Sequence, residues 1–154
     1  GLRWSARHTL GFNYLSIAHP DPDDPFHAAI AHALDGGGAD DSRRVLATLS
    51  GVIAGELIRE GTRAGKLKSA AERYEADTVL ALTSGASRLS VAAAERKVRT
   101  HDQFMNAVEG RRISEARVVG LRAYANTVQR EQEMLRTDRA DARAANLGEA
   151  HDAT

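Results

Sequence analysis

From residue 25 onward the apolar positions of this chain recur mostly at helical spacings; only the stretch before it suggests anything else. There Leu10, Phe12 and Tyr14 alternate as a short strand would, until Leu15 and Ile17 shift the phase. Four aromatic residues, Trp4, Phe12, Tyr14 and Phe26, fall in the first 26 positions, which predicts an extended aromatic arm that docks into a core. All three prolines lie in HPDPDDP at 19–25, where fixed φ angles and missing N–H groups impose a loop. Asp24 followed by Pro25 is a helix entry, with an acceptor at the cap and proline in the first turn. Phe26, Ala29, Ile30, Ala33 and Leu34 then keep helical spacing until Gly36, Gly37 and Gly38 close the segment.

A second helix is predicted from Asp41 or Ser42, with Leu46, Leu49, Ile53 and Leu57 on one stripe, widened by Val45 and Val52. Ala47, Gly51 and Gly55 repeat every fourth residue on its flank, a pattern that predicts close approach of another helix. Gly61 and Gly65 punctuate the chain before a further helix from about Lys66 to Leu82, whose stripe is Leu67, Ala70, Ala71, Tyr74, Thr78 and Leu82. Tyr74 therefore reads as a core residue. Ser84 to Ser87 reads as a turn.

From Ser90 to about Ala145 there is no proline, and Ala, Arg, Glu and Gln dominate, so one very long helix or a helical hairpin must occupy the segment. Val91, Val98 and Met105 are seven apart, as are Leu121, Val128 and Leu135, but the two sets are out of phase. Either a break near Gly110 folds the segment back, or one helix changes partner. Polar residues at His101, Arg112 and Glu131 argue against a long strict coiled coil. Large apolar residues become scarce after Leu135, which predicts fraying. The resulting expectation is a mainly α chain: a helical bundle or hairpin with a long C-terminal helix and the aromatic arm. Its parts are an acidic arm and short capped helix over 1–41, a helical domain over 42–145 and a disordered tail over 146–154.

Composition narrows the chemistry. The 154 residues contain no cysteine, which removes disulfides, thiolate metal sites and Cys nucleophiles. The most apolar run, Val45 to Ile58, carries Glu56 and is too short to cross a bilayer. The opening residues are broken by Arg3, Arg7 and His8, unlike an export signal, so the expected setting is cytoplasmic, with no membrane partner. Net charge is zero but uneven: residues 1–41 hold two Arg against six Asp, a net of −4, so the remainder carries +4. The excess is clearest between Arg88 and Arg122, with eight bases against four acids. Arg96, Lys97, Arg99, Arg111, Arg112 and Arg117 are accordingly the candidates for phosphate contact, against the alternative of a solvated Arg-rich face.

Metal-type ligands concentrate at the N-terminal side, where His19, Asp23 and His27 are the candidates; Asp23 and His27 are four apart across the helix entry. Capping and loop turns explain the same residues without a metal, and no cofactor is expected. Gly36 to Gly38 lacks a phosphate-loop ending, and no Gly-x-Ser-x-Gly elbow occurs. His101 has no nearby nucleophile in sequence and reads as an interface or exposed histidine. No catalytic triad is indicated.

The arrangement AAERYEADTVLALTSGASRLSVAAAERKVRT followed by EARVVGLRAYANTVQREQEMLRTDRADARA resembles small all-helical proteins of tailed phages, often encoded beside recombination and single-strand-binding genes. The matching features are Tyr74 on a helix, Ser90-Val91 leading to Glu95-Arg96, then Glu115-Ala116, Val118, Leu121-Arg122 and Leu135-Arg136. More distantly, the chain is similar to the recombination mediators of large virulent phages, which load a recombinase onto single-stranded DNA. The likeness spans roughly residues 66 to 145. It implies a non-enzymatic accessory protein in the bacterial host cytoplasm, homo-oligomeric, with a protein partner and with basic helix residues near single-stranded DNA. Two further readings stay open: a purely protein-binding helical module or host-directed inhibitor, and a metal-dependent enzyme using the His/Asp region.

Overall fold

A computed structural model describes residues 21, 23–35, 42–86 and 88–152. The chain is mainly α, and among the described residues there are four helices and no strand: α1 Pro25–Asp35, α2 Ser42–Ser84, α3 Val91–Val98 and α4 Asp102–Asp152. The alternating segment Leu10 to Tyr14, with Trp4 and the rest of the expected arm, lies outside the described residues.

The entry to α1 follows from its sequence. The Asp24 carboxylate accepts the Phe26 N–H at 2.9 Å, and the Asp24 carbonyl accepts the His27 N–H at 2.9 Å. Pro25 occupies the first helical position, where its missing N–H costs nothing.

The helix limits differ from those expected at several points. Gly61 and Gly65 do not divide α2, which runs unbroken for 43 residues. Each glycine costs about 1 kcal/mol in propensity, too little to stop a helix flanked by Arg, Glu, Lys and Ala and held by buried Glu60 and Ala71. The break in the last segment falls at Arg99–His101, not near Gly110. There α3 ends, with the Arg99 N–H donating to the Glu95 carbonyl, and the His101 carbonyl receives the Met105 N–H to open α4. α4 also continues helical to Asp152, beyond the point where the tail was expected to lose order. Its Ala, Arg and Glu content sustains helix without an apolar stripe.

Between α2 and α3 the turn needs its own residues. A Cβ on Gly85 would stand 2.8 Å from the Ala81 carbonyl oxygen, so only glycine fits. Arg88 takes a left-handed φ of 36°, and Ser90 caps α3 by accepting the Ala93 N–H at 3.3 Å.

Contacts divide the chain into two compact units. The first combines the described residues up to Glu56 with those from Gly120 onward. Its core is large and apolar: Phe26, Ile30 and Ala33 of α1, Leu46, Leu49 and Ile53 of α2, and Leu121, Tyr124 and Val128 of α4 are all 5% exposed or less. Phe26, on the helical stripe read from sequence, is buried in this core.

The second unit is Leu57–Val119. Here α2 and α4 run antiparallel, as three cross-helix pairs show: Glu60 with Arg117, Leu67 with Gly110, and Tyr74 with His101. Residue numbers rise on one helix as they fall on the other. The close approach is at Gly110, where an added Cβ would lie 3.1 Å from a Leu67 methyl. It is not at Gly51 and Gly55, whose Cβ positions would meet nothing within 4 Å; both are exposed. At these two glycines the flank of α2 meets no helix among the described residues. Of the set Val91, Val98 and Met105, only Val98 is buried, because the break at residues 99–101 interrupts the repeat.

Candidate interaction surfaces

The six basic residues singled out from the sequence do not assemble into one face. On α4, Arg112 and Arg117 lie about 100° and 240° around the helix from Arg111. Four of the six are engaged by carboxylates. Arg111 Nε donates to Glu115 Oε1 at 2.7 Å, one turn along the helix. Arg112 grips Glu109 with two parallel bonds, Nε to Oε2 at 2.9 Å and Nη2 to Oε1 at 2.8 Å. That fork holds the Glu109 carboxyl below its ordinary range and raises the Arg112 guanidinium. Arg99 stands 3.9 Å from Glu75. Arg96 Nε donates to the Ala92 carbonyl at 3.2 Å, and Arg96 and Lys97 are both exposed on α3.

Arg117 differs from the rest. Its side chain is 20% exposed and faces Glu60, 6% exposed, at 3.4 Å. A pair this deep loses most of its hydration, so its attraction offsets desolvation instead of adding large net stability. Beside Arg117 on α4, Ser114 is fully buried, and its hydroxyl has no hydrogen-bond partner among the described residues. Arg117 is an interior structural residue.

Tyr74 is half-buried, and its hydroxyl is 2.9 Å from His101 Nδ1, with the rings edge to face at 6.0 Å. His101, read from sequence as exposed or interfacial, instead latches the α3–α4 corner to α2. Sequence spacing could not show this, since 27 residues separate the two.

Of the metal candidates, His19 lies outside the described residues. Asp23 is exposed in the turn before α1, its N–H bonded to Asp21 Oδ1 at 3.0 Å, and His27 is half-buried in α1. Among the described residues no three His, Asp or Glu side chains converge on one point.

Two surfaces were not anticipated as such. One is a continuous uncharged face on α2: Ala47, Gly51, Ala54, Ile58, Gly61 and Gly65, spaced by four and three in turn and all exposed, with Ile58 71% exposed. It lies about 145° around the helix from the buried stripe. The other is a cavity of about 510 Å³ in the first unit, lined by Arg43 and Ala47 of α2 and by a stripe of α4 that includes Gln132, Arg136, Arg139 and Arg143. Among the described residues no Asp or Glu lines it. Sequence reading missed it because Glu131, Glu133, Asp138 and Asp141 are interleaved with these arginines, leaving no local charge excess. The legible signal was the helical period, which puts Gln132, Arg136, Arg139 and Arg143 within an arc of about 60° and Asp138 and Asp141 more than about 120° from its centre.

No helix among the described residues is long and apolar enough to cross a membrane. No protein-family model, no curated protein and no solved structure matches this chain.

Proposed function

We propose that this chain is a non-enzymatic phage or mobile-element accessory protein of DNA recombination or replication, acting by contact: with copies of itself, with a protein partner and with single-stranded DNA. The observation that carries the contact mode is the exposed uncharged face of α2. Gly51, Gly61 and Gly65 each weaken the helix by about 1 kcal/mol relative to alanine, and none relieves crowding among the described residues. Small residues at this spacing let a second helix backbone approach closely, and a second copy of α2 supplies the same face. The helical likeness over residues 66–145 supports the recombination setting.

The test is light scattering on the purified chain beside Gly51→Gln/Gly61→Gln. Both positions have room for a side chain, so the variant is expected to melt at a higher temperature and to lose self-association. A parent protein that is monomeric at all concentrations removes the self-association.

The purely protein-binding reading is favoured by one observation: Arg111 and Arg112 are each paired with a carboxylate of their own helix, Glu115 and Glu109. Under that reading, single-stranded DNA does not bind even at low salt.

A further inference from the structure

We propose that the arginine-lined cavity of the first unit seats consecutive phosphates of single-stranded DNA. This rests on the DNA-contacting part of the function proposed above and assigns that contact to a place the charge distribution along the sequence did not indicate.

Four guanidinium groups border the cavity, and among the described residues no carboxylate does. Among the described residues none of Arg43, Arg136, Arg139 and Arg143 forms an ion pair, whereas Arg99, Arg111, Arg112 and Arg117 all do. Placing several like charges around one concavity raises the folded state's energy by mutual repulsion, and a polyanion relieves it. Guanidinium suits phosphate particularly, because its planar fork donates two parallel bonds to two oxygens.

Spacing selects a strand over a single small anion. Arg136 to Arg143 rises about 10 Å along α4 at 1.5 Å per residue, too far for one small anion to bridge and far enough to reach more than one backbone phosphate of a strand. Arg43, reaching in from α2, approaches the same cavity from the opposite wall. A volume of about 510 Å³ admits the backbone of a few nucleotides, and Gln132 at one end adds neutral donors and an acceptor. Among the described residues no aromatic side chain lines the cavity, and the contact made there is with backbone phosphates, which carry no sequence information.

The experiment measures fluorescence anisotropy of a labelled oligo-dT and of a mixed-sequence single strand across a salt series. It compares the parent chain with Arg136→Gln/Arg139→Gln/Arg143→Gln, with Arg43→Gln, and with Arg96→Gln/Lys97→Gln. All these positions are exposed and glutamine keeps helix propensity, so circular dichroism and melting are expected to stay unchanged. The triple variant is expected to bind both strands at least about tenfold more weakly. Its slope of log affinity against log salt should be shallower by about 2, at about 0.7 per lost phosphate contact. Arg43→Gln shifts both readouts the same way by a smaller step, and the α3 variant leaves them within error.

If the triple variant binds as tightly and as salt-dependently as the parent, the cavity is not the seat, while the DNA-contacting function stands. If the parent binds neither strand at low salt, that function and the strand as ligand fall together. Calorimetry with tripolyphosphate then separates the two failures: heat seen with the parent and lost in the triple variant keeps an anion site without DNA, and heat from neither removes the site as well.

Discussion

The two compact units share the same pair of long helices but are held by different chemistry. In the first, nine aliphatic or aromatic core residues from α1, α2 and α4 exclude water almost completely. In the second, the buried positions are Ala71, Ala94, Val98 and Ser114 together with the Glu60–Arg117 pair, and the corner is fastened by Tyr74 and His101. Along α4 the inward positions Ser114, Leu121, Val128 and Leu135 are seven apart, so one repeat passes from a polar stretch into an apolar one. Helix continuity therefore says little about where stability lies. Burial of large apolar groups concentrates it in the first unit, while small and polar groups in the second supply register and orientation.

Removing bulk from the larger core should have the greatest effect on stability. Leu121→Ala is expected to lower unfolding free energy by about 3–4 kcal/mol in urea titration, because its fully buried side chain leaves a cavity. A loss below about 1 kcal/mol would mean the first unit is not the stability centre.

Next comes the interior ion pair of the second unit. Arg117→Met leaves the Glu60 carboxylate buried without its partner and should cost about 3 kcal/mol, whereas the double change Glu60→Leu/Arg117→Met should be near neutral. Equal losses from the single and double changes would show that the pair itself contributes the stability.

A third prediction uses pH. Burial pushes the Tyr124 phenol well above its ordinary value of 10.0, so the folded state keeps this proton where the unfolded chain releases it. Above pH 10 the unfolded state binds fewer protons than the folded state, and stability falls as pH rises. Tyr124→Phe should flatten that alkaline decline in urea-titrated stability and change the unfolding free energy at neutral pH by no more than about 1 kcal/mol.

The smallest effect belongs to the corner. Tyr74→Phe deletes the bond to His101 and should cost about 1 kcal/mol, with amide exchange accelerated around residues 99–101 and unchanged in the first unit. Acceleration spread evenly over both units would contradict their separate character.

The helical class, the Asp24–Pro25 entry, the core stripe Leu46, Leu49 and Ile53 and the repeat Leu121, Val128 and Leu135 were legible because a 3.6-residue period writes burial directly into the chain. Where Gly61 and Gly65 suggested a boundary, the period continued through them, and it was the better guide. The candidate sites were less legible. Net charge over a window pointed to Arg88–Arg122, but that measure cannot tell a guanidinium already held by a neighbouring carboxylate from one left facing a cavity.

By itself, then, the sequence determined the inward stripes of α1 and of the start of α2 and the inward Leu121 and Val128 of α4, since these depend only on spacing along a rigid period. Tertiary structure alone decided that Arg117 faces Glu60, that Tyr74 meets His101 and that Arg43 joins Arg136, Arg139 and Arg143 around one cavity. Those pairings join residues 27 to 100 positions apart, and what brings them together is the packing of one helix against another, a relation that no local periodicity encodes.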